Sequence, residues 1–192
     1  MSLDTLLSVM VGIGLSAACG FRVFVPLLVM SIASLSGHLT LSPGFQWIAT
    51  YPALLAFALA TILEIAGYYI PWVDHILDVV AAPAAIVAGI VATASTVTGM
   101  SPFLRWALAI IAGGGLAGTV QVFTSITRLA SSAATAGLGN PAVSTVEVGG
   151  SVALSVAAIA MPVVALAVAA TSLVLLHRLR RKLIKKRPAG PP

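Results

Sequence analysis

The chain consists mostly of long stretches without charge, and this feature constrains its fold more than any motif does. Only 8% of its 192 residues are charged, whereas soluble proteins carry roughly 25%, and 59% of them are hydrophobic. A soluble globule of this size needs a polar surface, which such a composition does not supply. Lipid must therefore replace water around most of the chain. The sequence predicts an all-α, multi-pass transmembrane helix bundle with about five spans.

Five apolar runs separated by short loops predict these spans. The first run is about 30 residues long, although a bilayer core needs only about 20. We therefore expect it to tilt, protrude or break, and Gly20 and Pro26 are the positions that favour a break. Pro162 predicts a kink in the last run, and the polar, glycine-rich residues 136–150 are predicted to form a loop. The runs cover residues 5–34, 51–70, 73–96, 103–132 and 151–179.

The basic residues indicate how the chain lies in the membrane. Seven of the ten lysines and arginines lie in residues 178–187, directly after the last apolar run. Such a cluster is typical of the cytoplasmic flank of a span, not of a nucleic-acid-binding surface. With five spans and a cytoplasmic C-terminus, the N-terminus is predicted to lie outside. Residues 1–187 are predicted to form one transmembrane domain with halves at about 1–98 and 101–179, followed by a disordered tail at 188–192.

Small residues recur at four-residue spacing in the first and fourth runs. Gly12, Ser16 and Gly20 share one helix face, and Gly114 and Gly118 form a GxxxG pair. Because such stripes let helix backbones approach closely, all five residues are predicted to be helix-packing positions.

The two halves of the chain also resemble each other weakly. Residues 20–24 align with residues 119–123, and each segment follows a stripe of small residues. The first span is predicted to run from outside to inside, and the fourth from inside to outside. Matching segments in opposite directions are typical of an inverted-topology repeat, here of spans one and two against spans four and five. In such a repeat, spans one and four cross on their glycine stripes.

Three of the five acidic residues lie in residues 64–78, between long uncharged stretches. Carboxylates inside a membrane are costly and mark ion or proton pathways, and oxygen-rich clusters suit hard divalent cations. The metal-site candidates are Glu64, Asp74 and Asp78. The predicted topology gathers the acids at the outer face: Asp4, Asp74, Asp78, Glu147 and, about two turns deeper, Glu64.

Two arginines lie inside the predicted spans. Arg22 fits either an interfacial arginine whose side chain reaches the membrane surface or a charge of the site. Arg128 is predicted to pair with Glu64 or Glu147. Asp74 follows Pro71 closely enough to cap the third helix instead of forming a site. The candidate transport or ion-site residues are therefore Glu64, Asp74, Asp78, Glu147, Arg22 and Arg128.

Several short motifs are spread along the chain: Val25-Pro-Leu-Leu28, Leu63-Glu64, Ile70-Pro71 with Asp74 and Asp78, Ala82-Pro83, and Gly139-Asn-Pro141 with Val143-Ser144 and Glu147. Together they resemble the bacterial membrane family catalogued as domain of unknown function 4126, over about residues 15–181. The resemblance implies a helical membrane fold and a bacterial inner-membrane location, and it implies no activity. This chain has Tyr68 and Tyr69 where many members look to carry Asp and Lys, so the resemblance assigns those positions no ionic role.

The sequence leaves three classes of function open. The charges within the spans favour a small transporter or channel for an ion or small solute. The alternative is a structural or accessory protein, such as a scaffold or envelope sensor, whose small-residue stripes serve packing alone. An enzyme is disfavoured because the chain has no GxSxG, HExxH, P-loop or CxxC motif, and no cofactor is predicted. A bundle of only five helices in the lipid bilayer also predicts a homo-oligomer.

Overall fold

The computed structural model describes residues 2–167 and residue 171, apart from the side chains at positions 71, 72, 74, 75 and 78. Every regular element within these residues is helical, which confirms the all-α prediction for this part of the chain. The predicted basic flank at 178–187 and tail at 188–192 lie outside it. The elements are α1 (Leu3–Cys19), α2 (Phe24–Leu35), a 3-10 helix (Gln46–Ala49), α3 (Tyr51–Gly67), α4 (Pro71–Thr96), α5 (Pro102–Leu108), a π-helical segment (Ala109–Gly114), α6 (Gly115–Thr135) and α7 (Asn140–Ala160).

Three helices in the described part are long and apolar enough to cross a membrane. They are Val79–Thr96 within α4, the continuous helix Pro102–Thr135 from α5 to α6, and Asn140–Ala160. Helices α1, α2 and α3 are apolar but shorter. The membrane character predicted from composition is therefore supported, whereas the count of five spans is not.

The first apolar run is broken at residues 20–23. Helix α1 ends at Cys19, and α2 begins at Phe24. The predicted break at Gly20 is therefore confirmed. Pro26 does not cause it, since it lies in the first turn of α2, where a missing N–H is tolerated.

Helices α1 and α2 form a hairpin instead of one span. Near the start of α1, the Ser8 Oγ accepts a hydrogen bond of 3.2 Å from the N–H of Thr98, just after α4. Beyond the end of α2, the N–H of Ser42 donates to the carbonyl of Ser95 at 2.7 Å. Both ends of the hairpin thus lie at the C-terminal end of α4. A chain that crosses the membrane once in this region would have placed them on opposite sides.

The hairpin reverses the predicted direction of the first helix. Helix α1 runs antiparallel to α4, because Gly12 packs against Thr93 four residues after Ser8 meets Thr98. Helix α6 is also antiparallel to α4, because Gly114 packs against Ile90 and the later Gly118 against Ile86. Helices α1 and α6 therefore run in the same direction. The predicted inverted repeat requires opposite directions, so these contacts do not support it.

The same reversal changes where the N-terminus lies. Since α1 and α2 start and finish at one end of the bundle, an external N-terminus no longer follows from a cytoplasmic C-terminal flank. Asp4 lines a cavity of about 390 Å³ together with Thr96, Thr98 and Leu39, at the end where α4 finishes. Glu147 lies near the opposite end. The prediction that Asp4 gathers with the other acids is therefore wrong.

Helix α7 begins earlier than predicted. The predicted loop at 136–150 is limited to residues 136–139, where Ala136 and Gly137 adopt positive φ angles of 51° and 87°. Pro141 then occupies the first turn of α7, where proline is favoured. The helix ends at Ala160, and helical structure resumes at residues 162–167. The predicted kink at Pro162 is confirmed as a break.

Candidate functional site

The turn of the α1–α2 hairpin lies inside the bundle. Helix α2 has 12 residues and is therefore about 18 Å long, too short to cross a hydrocarbon core of about 30 Å. Arg22 in the turn is only 1% exposed. We call residues 20–23 the hairpin tip. It is a stretch of non-helical backbone surrounded by protein.

Glu64 of α3 caps the start of α2. Its Oε1 accepts a hydrogen bond of 2.9 Å from the N–H of Val23, and its Oε2 accepts one of 3.1 Å from the N–H of Phe24. The first N–H groups of a helix have no partner within the helix, and the positive end of the helix dipole favours an anion there. Pro26 has no N–H to satisfy. The backbone N–H groups at this break are therefore satisfied by the protein's own carboxylate.

Glu147 of α7 lies between two arginines from different elements. The Nη2 of Arg22 forms an ion pair of 3.2 Å with Oε2 of Glu147 and donates to the Oγ of Ser144 at 2.5 Å. Arg128 of α6 donates from Nε to Oε1 of Glu147 at 3.1 Å, and its Nη2 also pairs with Oε2. All three charged side chains are at most 6% exposed. Glu147 thus connects the hairpin tip to both α6 and α7.

Tyr68 contacts both guanidinium groups. Its ring centroid is 4.0 Å from Cζ of Arg22 and 3.8 Å from Cζ of Arg128, which is within cation–π distance. Tyr68 lies four residues after Glu64, so the two side chains share one helix face. That spacing was a usable signal, yet sequence reasoning assigned Tyr68 no role and also missed Ser144.

Arg22 has two hydrogen-bond donors that no described residue accepts from. Its Nε and Nη1 are buried and have no hydrogen-bond partner among the described residues. An unpaired buried donor costs about 1–3 kcal/mol, and more when it is charged. Its Nη2, in contrast, is held by Ser144 and Glu147. Among the described residues, the guanidinium is therefore held at one nitrogen and has no hydrogen-bond partner at the other two.

The structure brings four of the six candidate site residues together: Arg22, Glu64, Arg128 and Glu147. Asp74 and Asp78 belong to the first two turns of α4, but their side chains lie outside the described part of the chain. The predicted metal set of Glu64 with these two residues is therefore untested. Among the side chains that are described, no three or more His, Cys, Asp or Glu residues form a group suited to a metal ion.

The predicted packing residues hold the hairpin in place. A Cβ on Gly12 would lie 2.7 Å from Oγ1 of Thr96 in α4, and a Cβ on Gly20 would lie 2.5 Å from Cβ of Val120 in α6. Ser16 is fully buried and donates to the carbonyl of Ile13 at 2.8 Å. Gly114 and Gly118 pack against α4 and not against α1.

The chain matches a known family over a range of residues that includes this whole cluster. The model of the family described as Domain of unknown function (DUF4126) matches residues 9–182, which include the hairpin tip and all four clustered charges. No curated protein and no solved structure matches the chain.

Proposed function

The chain belongs to the family of domain of unknown function 4126, and we propose that it is a small membrane transporter or channel for an ion or small solute. The observation that supports this proposal is the hairpin tip. It is the non-helical turn between α1 and α2, and it lies at a buried cluster of charged side chains. Non-helical backbone at membrane depth occurs only where protein surrounds it or where it lines a cavity. Transport sites are commonly built at such broken helices.

The charges support the same proposal. Ionisable side chains within a membrane are costly and usually mark a pathway for an ion or solute. Glu147 is paired with arginines from two different elements, so neutralising or displacing its carboxylate changes the contacts of the hairpin tip, α6 and α7 at once. In the proposed cycle, Glu147 responds to the solute, and Glu64 holds the start of α2 until its carboxylate withdraws.

The proposed arrangement takes α3, α4, the α5–α6 helix and α7 as crossings, with α1 and α2 as a re-entrant hairpin. The positive-inside rule then puts Arg105, between α4 and α5, on the cytoplasmic side together with both ends of the hairpin. The cluster of charges lies toward the outer side. We further propose that the protein is a homo-oligomer of the inner membrane and not an enzyme.

A flux survey in proteoliposomes tests the proposal. Wild-type protein is reconstituted and tested for proton, cation, anion and small neutral solute flux, and then compared with Glu147→Gln. We expect flux of at least one solute and at least a tenfold loss in the variant, because glutamine keeps the side-chain shape but cannot balance two guanidinium charges.

The control variant is Asp4→Asn, which changes an exposed carboxylate at the other end of the bundle. It should transport like the wild type. Wild-type liposomes without any flux, or Glu147→Gln liposomes with unchanged flux, would contradict the proposal.

A structural or accessory function is the second candidate, and one observation favours it. Both oxygens of Glu64 and both oxygens of Glu147 already have partners in the protein, as expected of a network that only stabilises a fold. In that case the variants lower the thermal stability, and the wild-type protein shows no flux of any solute.

A further inference from the structure

The hairpin tip has the features of an anion site that the protein itself has filled. We propose that the start of α2 and Arg22 form a binding site for a small carboxylate, which the side chain of Glu64 occupies in this structure. The inference that this carboxylate is the transported solute rests on the proposed transport function. The inference that the site binds a carboxylate does not, and it is tested without a flux measurement.

The backbone at the start of α2 provides the first part of the site. The N–H groups of Val23 and Phe24 each donate to a different oxygen of one carboxylate, at 2.9 and 3.1 Å. Two adjacent donors match the two oxygens of a planar carboxylate, and the 12-residue helix behind them contributes the positive end of its dipole. The occupant seen here shows which chemical group these donors hold.

Arg22 provides the second and independent part. It directly precedes Val23, is 1% exposed, and keeps buried Nε and Nη1 groups without a partner among the described residues. The ion pair with Glu147 and the bond to Ser144 use only Nη2. Glu64 satisfies the backbone but forms no described hydrogen bond with Arg22. The Nε and Nη1 of Arg22 are therefore donors that Glu64 leaves unused.

The present occupant belongs to a helix at the edge of the bundle. Helix α3 packs mainly against α2, while its outer face exposes Leu55, Leu59 and Ile62. A shift of α3 away from α2 therefore withdraws the Glu64 carboxylate. It also moves Tyr68 and Tyr69, which follow α3 directly and contact Arg22, Arg128 and Thr145. An incoming carboxylate replaces that of Glu64 on the same two N–H groups.

The enclosure limits the ligand to a small monovalent carboxylate. Glu64 is 8% exposed and Arg22 is 1% exposed, so the site holds a group about the size of the one it holds now. A divalent anion is disfavoured, because the cost of burying a second charge is large and the two backbone donors are already matched by one carboxylate. Formate and acetate are therefore the probes.

Chemical rescue of Glu64→Ala tests the site in detergent solution. Thermal unfolding is followed by tryptophan fluorescence in sodium formate, sodium acetate and sodium chloride at equal ionic strength. The variant should unfold about 2–4 °C below the wild type in chloride, as expected for the loss of a helix cap in a chain of this size. About half of this loss should return in 100 mM formate, with a smaller return in acetate.

The dependence on Arg22 separates this site from a general salt effect. The double variant Glu64→Ala, Arg22→Gln should show no difference between formate and chloride. Asp4→Ala, which removes an exposed carboxylate at the other end of the bundle, should show none either. If Glu64→Ala responds equally to formate and chloride, or if its formate response survives the loss of Arg22, the inference is overturned.

Glu64→Asp keeps the test available if Glu64→Ala does not fold. Its carboxylate is one methylene shorter and withdraws from the two N–H groups, so formate should raise its unfolding temperature more than chloride does; equal responses overturn the inference. If formate restores the stability of the Glu64 variant but the wild type shows no flux in liposomes, the binding site is supported and the transport proposal is contradicted. If the wild type shows flux but formate restores no stability, the binding site is overturned and the transport proposal stands.

Discussion

Glu147 shows at the residue scale how one side chain can hold several helices. Its two oxygens contact arginines that come from the hairpin tip and from α6, while its own backbone belongs to α7. In a buried setting, removing one partner of an ion pair leaves the other charge uncompensated, and this loss is larger than the net gain from the intact pair. Glu147 therefore contributes more to the fold than its single charge suggests.

We expect Glu147→Ala to lower the free energy of unfolding by about 3–5 kcal/mol, because Arg22 loses the carboxylate with which it pairs. Thermal or denaturant unfolding of the purified protein in detergent measures this loss. Thr145→Ala, two residues away on α7 at an exposed position, should cost less than about 1 kcal/mol. Equal losses in the two variants would show that the ion pairs do not hold the helices together.

The ring of Tyr68 gives a second prediction at this scale. Tyr68→Leu should destabilise the protein by about 1–2 kcal/mol more than Tyr68→Phe, because phenylalanine retains an aromatic face for both guanidinium groups and leucine does not. The same unfolding measurement compares them. Phenylalanine and leucine variants of equal stability would contradict a cation–π contribution.

At the element scale, the hairpin depends on close contacts of its backbone with three other helices. Gly12 packs on α4 and Gly20 on α6, while Ser151 of α7 donates to the carbonyl of Ala18 at 3.1 Å. The start of α2 is held separately by Glu64 of α3. Because the contacts come from all sides, the short hairpin has a defined position although neither of its helices is long.

Gly20→Ala should therefore destabilise the hairpin. The new Cβ would lie 2.5 Å from Cβ of Val120 and 2.6 Å from the carbonyl oxygen of Ala117, so a backbone must move, at a cost of about 1–3 kcal/mol. Gly149→Ala is the matched control within a helix, because nothing lies within 4 Å of its new Cβ. We expect that control to be neutral or slightly stabilising in thermal unfolding, since alanine favours helices. A loss of stability in the control alone would reverse this interpretation.

At the scale of the whole molecule, the turn at residues 20–23 decides the topology. Helices α1 and α2 return to the end at which they start, so residues 2 and 36 lie on the same side as the connection between α4 and α5. The connection between α6 and α7 lies on the other side. The topology predicted from five apolar runs would instead put the N-terminus and the loop after α2 on opposite sides of the membrane.

Labelling of single cysteines tests this arrangement in membranes of known sidedness. In a Cys19→Ala background, we expect Ser2→Cys and Ser36→Cys to react with a membrane-impermeant maleimide from one side. Leu138→Cys, at a position that is 87% exposed, should react from the opposite side. Labelling of Ser2→Cys and Ser36→Cys from opposite sides would show that the first apolar run crosses the membrane once.

The sequence alone determined the features that depend on local chemistry. Composition predicts an all-helical chain with membrane-spanning helices, because a backbone in lipid must satisfy its own hydrogen bonds. Gly20 predicts the first break because glycine weakens a helix, and Pro162 predicts the second because proline disfavours the helical conformation of the residue before it. The rarity of charge inside apolar runs singles out Arg22, Glu64 and Arg128 as candidate site residues, whereas Glu147 is predicted to lie in a loop.

Only the tertiary structure decided how these parts are arranged. A broken helix can continue in any direction, and the direction of α2 is set mainly by contacts with α3 and with α7, which lies far away in sequence. Glu64 caps a helix that begins 40 residues earlier, and Arg22 finds Ser144 and Glu147 more than 120 residues later. No spacing along the chain contains these partners, because they depend on how the hairpin enters the bundle.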